Sequence, residues 1–231
     1  SEKRLTKSCS TEKFDSIQKI CLRKIPFEPN EDLSNAFINN IRKIPKVPYK
    51  VLDAPALQDD FYLNLIDWSK KNILAVGLSS CVYLWSAYTS KVTKLCDLGA
   101  HDSVTSVSWS PSGNTISIGT DSGEVHLWDA EKLNKTRNFS GHYARVGALA
   151  WNKETLSTGS RDKTILNRDP RISQDYFAKL NGHKQEVCGL RWSFDEHQLA
   201  SGGNDNKLFV WNQNNNHPVY KFSNHTAAIK A

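Results

Sequence analysis

A period of about 41 residues constrains this 231-residue chain more than any other feature. Trp68, Trp109, Trp151 and Trp192 follow one another at intervals of 41, 42 and 41 residues, and His101, His142, His183 and His225 at 41, 41 and 42. A third column, Trp85, Trp128, Arg168 and Trp211, runs at 43, 40 and 43. Three independent columns sharing one period identify a stacked repeat, in which each unit buries its apolar face only against its neighbours. All seven tryptophans of the chain belong to these columns.

Within a unit the period is 2. Ile66, Val107, Leu149 and Leu190 each stand two positions before a first-column Trp, which puts both side chains on one face of a strand. The runs at 109–113 (WSPSG) and 192–196 (WSFDE) read as turns. Further strands are predicted at 115–119 and 125–128 in the second unit, and at 198–201 and 207–211 in the fourth. Four antiparallel strands per unit predict an all-β chain built of β-propeller blades. The units fall at about 54–98, 99–139, 140–180 and 181–222. A stub at 223–231 supplies only the first strand of a fifth, so the expected propeller is incomplete.

The net charge of +6 is not spread over these units. Residues 1–50 hold 11 Lys and Arg against 6 Asp and Glu, whereas residues 51–231 hold 19 against 18. A nucleic-acid groove on the repeat region therefore has little support. Residues 1–46 read as a basic, largely flexible arm. Phe14, Ile17, Cys21 and Ile25, and then Leu33, Phe37, Ile41 and Ile44, have the spacing of possible short helices. No apolar run reaches transmembrane length, and SEKRLTKSCS lacks the apolar core of a signal peptide. Five cysteines with no C-x-x-C spacing argue against a disulfide framework or a zinc knuckle and for a reducing compartment.

Gly141-His142, Gly182-His183 and Trp128-Asp129 resemble the Gly-His and Trp-Asp marks of WD repeats. In such repeats the buried indole N–H bonds a hydroxyl, the hydroxyl bonds the His, and the His bonds a turn Asp. A fully satisfied network of that kind locks a blade. The fourth unit has every member: His183, Ser201, Asp205 and Trp211. The third has His142, Thr158 and Asp162, with Arg168 in place of Trp. The second has His101 and Trp128 but Ile118 and Ser122 at the other two positions, and the first keeps only Trp85. A His-Ser-Asp set also fits a hydrolase triad, but one that recurs with the blade period and ends on a Trp reads as structural. No metal-ligand spacing and no phosphate-binding Gly loop is present.

The stretch 51–69 (VLDAPALQDDFYLNLIDWS) is more specific. With 81–86 (CVYLWS), 144–151 (ARVGALAW), 185–192 (QEVCGLRW) and 199–206 (LASGGNDN), it is similar in order to the Fizzy/Fizzy-related family, over residues 47–231. QDDF at 58–61 and GSRDK at 159–163 are closer to the Fizzy-related branch. The resemblance implies a substrate adaptor and activator of the anaphase-promoting complex, a ubiquitin ligase. Such a protein is not an enzyme, takes no cofactor or metal, and works in the nucleus and cytoplasm in the cell cycle. Its implied partners are the ligase core and degron-bearing substrate proteins, not nucleic acid, membrane or a small molecule. By the same resemblance Leu52 and Asp53 receive the D-box, Leu52 lining a pocket for its Leu and Asp53 pairing with its Arg. Asp60 and Asn204 receive the KEN box.

The chain departs from that family in two places. Seven blades are usual there and four are expected here, which the resemblance reads as a C-terminal truncation that activates ubiquitination poorly. Residues 22–26 (LRKIP) keep Arg23, Ile25 and Pro26 of a ligase-binding box but not its acid or aromatic, and RKIP recurs at 42–45. The alternative from another class is a generic WD-repeat interaction scaffold, or an inactive truncated product.

Overall fold

The computed structural model describes residues 18–22, 45–213 and 215–230, and every regular element among them is a strand. The chain divides into two compact units at residues 57 and 58. The smaller holds one antiparallel pair, Gln18–Leu22 with Lys50–Ala54. This corrects the helical reading of the Phe14 to Ile25 spacing. Over Gln18–Leu22 the backbone pairs residue by residue with Lys50–Ala54, and such pairing overrides a weak helical periodicity. The second helical candidate, Leu33 to Ile44, and residues 23–26 of the LRKIP box lie outside the described residues.

The larger unit contains four sheets of four strands, each an antiparallel meander in chain order. Blade 1 comprises Ile66–Trp68, Ile73–Leu78, Cys81–Ser86 and Val92–Asp97. Blade 2 comprises Val104–Trp109, Thr115–Thr120, Val125–Asp129 and Asn134–Phe139. Blade 3 comprises Val146–Asn152, Thr155–Ser160, Thr164–Arg168 and Ala178–Asn181. Blade 4 comprises Val187–Trp192, Gln198–Gly203, Leu208–Asn212 and Pro218–Phe222. The four-strand unit inferred from the tryptophan columns is thus present four times. Residues 223–230 form no strand, contrary to the expected opening of a fifth unit. Ile229 N–H donates to Gly203 O at 3.1 Å, and one such bond does not make a ladder.

The strands of blades 1 to 3 are largely buried on both faces, and those of blade 4 less so. The second strands show this most clearly: Leu74, Ala75, Val76 and Gly77 are buried in succession rather than alternately. The core therefore lies between blades. Val125, Leu127 and Phe139 of blade 2 meet Val146 and Leu156 of blade 3, and Ile165 and Leu180 of blade 3 meet Val187, Leu199, Phe209 and Trp211 of blade 4. Close approach rests on a glycine column. A Cβ on Gly77 would lie 2.7 Å from Val104 Cγ1, on Gly159 2.7 Å from Val187 Cγ1, and on Gly119 2.5 Å from Val146 O. Each is the point where the next inner strand crosses. A methyl there would push neighbouring blades apart.

Candidate functional site

Two polar constellations stand out, and only one has a surface. The first is the blade lock. In blade 4 the Trp211 indole N–H donates to Ser201 Oγ at 2.8 Å, Ser201 Oγ is 2.8 Å from His183 Nε2, and His183 Nδ1 is 3.1 Å from Asp205 Oδ1. The carboxylate fixes the proton on Nδ1, so Nε2 accepts from the serine. Ser201 has no exposed surface and its oxygen already takes the indole, so no substrate can reach it. This His-Ser-Asp set holds the blade and does no chemistry.

Blade 3 builds the same lock with a guanidinium. His142 is 2.9 Å from Asp162 and 2.8 Å from Thr158 Oγ1, and Arg168 Nε donates to Thr158 Oγ1 at 3.1 Å. Arg168 Nη1 also donates to the carbonyls of Ser140 at 2.7 Å and Asp175 at 2.9 Å. Burial pushes this fully enclosed guanidinium down to about 10, with the Asp175 charge the chief opposing influence. Burial also opposes charge on Asp162, yet the hydrogen bonds from His142 and Thr164 outweigh it and hold the carboxyl below its usual range. In blade 2 the Trp128 indole N–H is buried without an acceptor among the described residues, as Ile118 at the hydroxyl position implies. There Ser122 turns instead to Asp102, Oγ to Oδ2 at 2.7 Å.

The second constellation lies where the segment before blade 1 crosses the inner strands. Asn64 donates from its backbone to Thr105 O at 3.0 Å and from Nδ2 to Gly147 O at 2.5 Å, and Gly77 donates to Leu65 O at 2.8 Å. Blades 1, 2 and 3 thereby all hold this strap. Gly147 admits it, since a Cβ there would lie 2.7 Å from Tyr62 O.

Asp60 and Asn204 meet on the strap through Tyr62. Tyr62 N–H donates to Asp60 Oδ1 at 2.8 Å, and Tyr62 Oη, 142 residues away from Asn204 in sequence, donates to its Oδ1 at 3.0 Å. Asn204 Nδ2 donates to Gln185 Oε1 at 2.8 Å, and its second N–H remains for a ligand. Arg145 donates to Asp60 Oδ2 at 3.2 Å and to both oxygens of Glu186, at 2.7 and 3.0 Å. Phe61 is exposed, and Lys230 Nζ stands 3.9 Å from the Tyr62 ring centroid and 5.1 Å from that of Phe61. The result is an acid, an amide and two aromatic rings on one surface, a set suited to a cationic side chain beside a polar one.

Sequence reasoning missed Tyr62, Arg145 and Glu186. A signal was present, because Arg145 and Glu186 occupy the same repeat position, one residue before Val146 and Val187, with opposite charges. Leu52 and Asp53 belong to the smaller unit, on Lys50–Ala54. As consecutive strand residues they point to opposite faces, Leu52 half-buried and Asp53 exposed, opposite Ile20 and Lys19 in the register. The structure therefore does not put them on one face. Among the described residues no group of three His, Cys, Asp or Glu side chains could hold a metal ion.

Known proteins resemble this chain in sequence and in fold. Residues 52–231 match the family described as the CDC20/Fizzy WD40 domain. Protein FIZZY-RELATED 2 of Arabidopsis thaliana is 64% identical over 190 residues, which cover 82% of this chain and 39% of that protein. The B-type cell cycle switch protein ccs52A of Medicago truncatula is 62% identical over 190 residues, covering 82% of this chain and 40% of that one. The crystal structure of a mitotic checkpoint complex contains a chain with TM-score 0.80 and 41% identity, over 90% of this chain and 63% of that chain. The present chain thus spans about two fifths of the length of these two curated relatives. With the match running over every blade and relatives this similar named Fizzy-related, the chain belongs to the CDC20/Fizzy family of WD40 domains, on its Fizzy-related side.

Proposed function

We propose that this chain reads degrons as the substrate-recognition part of an activator of the anaphase-promoting complex, working by recruitment. The observation that carries the reading is the meeting of Asp60 and Asn204 on Tyr62. A partly exposed carboxylate suits the lysine of a KEN box, and the free N–H of Asn204 suits its glutamate or asparagine. Leu52 and Asp53 are assigned to the D-box as two separate contacts, apolar on one side of the strand and charge-assisted on the other. A Dictyostelium discoideum relative 47% identical over 194 residues is named anaphase-promoting complex subunit cdc20, which supports the ligase as partner.

Fluorescence anisotropy with labelled KEN and D-box peptides tests the reading. Asp60→Ala and Asn204→Ala are each expected to weaken KEN binding about tenfold, the effect of roughly 1.4 kcal/mol, and to leave the D-box peptide unaffected. Unchanged KEN binding in both variants would refute the assignment. A wild-type chain that binds neither peptide would point instead to a scaffold that reads no degron.

A further inference from the structure

We infer that Glu186, which faces no ligand, sets how strongly Asp60 attracts a ligand ammonium, by neutralising Arg145. The inference rests on the reading of Asp60 as the acceptor of a degron lysine.

Arg145 touches both carboxylates. Its Nε and Nη2 form a two-pronged contact with Glu186 Oε1 and Oε2 at 2.7 and 3.0 Å, while Nη1 reaches Asp60 Oδ2 at the longer 3.2 Å. The forked geometry is the stronger one and fixes the plane of the guanidinium. Exposure separates the three groups: the Glu186 side chain is 7% exposed, Arg145 16% and Asp60 37%. Glu186 is therefore shut away behind Arg145, and Asp60 alone presents oxygen to solvent.

The charges then decide the matter. A single arginine beside Asp60 would cancel the charge that a ligand lysine needs. With Glu186 in place, two carboxylates face one guanidinium, and the surplus negative charge is expressed at the exposed member. The Glu186 hydrogen bond is also the largest of the influences that raise the Arg145 pKa, so the guanidinium is committed to it first. A cation already stands in this field, since Lys230 Nζ approaches the Tyr62 ring that Arg145 covers at 5.1 Å. Glu186 and Arg145 are thus positioning residues that tune a charge, and neither needs to touch the peptide.

The test is a ratio of affinities measured on the full 231-residue chain. One labelled peptide carries the KEN sequence, and a second carries norleucine in place of its lysine, which removes the charge and keeps the chain length. Glu186→Gln is expected to lower the lysine-to-norleucine affinity ratio about tenfold, the size of a unit-charge change several ångströms away in a partly wet site. Arg145→Gln is expected to raise the same ratio, because both carboxylates then lose their counter-charge. The opposite signs keep the proposal testable if one variant does not fold. An equal loss for both peptides in Glu186→Gln, an unmoved ratio, or a ratio that falls in Arg145→Gln would overturn it while leaving the KEN assignment standing. A wild-type chain with no preference for lysine would remove the assignment of Asp60 and this inference with it.

Discussion

The tryptophan column offers a gain of stability from one oxygen atom. Trp151 Nε1 donates across the blade boundary to Ser117 Oγ at 3.1 Å, and Trp192 Nε1 donates to Ser157 Oγ at the same distance. The corresponding residue for Trp109 is Ala75, which pairs with Asp67 as Ser117 pairs with Ser108. Trp109 Nε1 is buried and finds no acceptor among the described residues. A serine at 75 would supply one, and its own hydroxyl proton would have the Asp67 carbonyl to bond, as Ser117 Oγ bonds Ser108 O at 2.9 Å. The volume is available in principle, because Ser117 is as fully buried as Ala75 at the same register. An unmet buried donor costs about 1–3 kcal/mol, and the new hydroxyl must be desolvated, so Ala75→Ser is expected to gain about 1 kcal/mol. For a unit of this size that is an increase in Tm of roughly 2–4 °C. Urea unfolding followed by tryptophan fluorescence measures it as a higher midpoint with an unchanged slope. Ser117→Ala is the mirror experiment and is expected to lose about 1 kcal/mol, since Trp151 then keeps only Ser108 O at 3.4 Å. If Ser117→Ala destabilises and Ala75→Ser does not stabilise, the equivalence of the two positions is wrong.

Three more outcomes are expected. Arg168→Ala removes the donor of three bonds from a fully buried site and is expected to cost roughly 3 kcal/mol, with Arg168→Lys close to it because an ammonium cannot span the same acceptors; chemical unfolding reads both. Gly159→Ala drives a Cβ to within 2.7 Å of a stiff valine and is expected to cost about 1–3 kcal/mol, much of it recovered in the double variant with Val187→Ala; a double-mutant cycle checks the recovery. Stability is expected to fall as pH drops below about 6.5. Burial holds His142 and His183 below their ordinary value, so the unfolded chain takes up protons first. Asp162 and Asp205, held low by their hydrogen bonds against burial, act in the same direction at lower pH. A urea midpoint that stays level between pH 7 and pH 5 would contradict this.

The parts of the fold that recur were legible, because a repeat states the same packing problem several times. Three spaced columns located four blades and the complete lock of blade 4, since an indole N–H demands a hydroxyl and a hydroxyl beside a histidine demands an acid. Arg168 marked a break in the column, but not that its guanidinium would carry the same donor role, because side-chain chemistry alone does not reveal which acceptors surround a buried group. Asp60 and Asn204 came from resemblance, and nothing local ties them together. Their link is Tyr62, whose phenol crosses from the strap to blade 4, a contact set by the packing of blades rather than by any neighbour in sequence. The strand at Gln18–Leu22 was hidden for a related reason: its partner, Lys50–Ala54, is distant in the chain, and the apolar spacing alone suggested a helix.

The strap has a mechanical consequence. Leu65, Asn64, Asp60 and Tyr62 bond in turn to blade 1, to blades 2 and 3, to Arg145 at the start of blade 3, and to Asn204 of blade 4. Any motion that separates those blades must stretch this one short segment. A peptide seated on Asp60 and Asn204 would span the same gap and oppose the same motion. On the proposed reading, degron occupancy and cohesion of the blades would belong to a single equilibrium, and a bound substrate would also serve as a tie-rod for the protein that holds it.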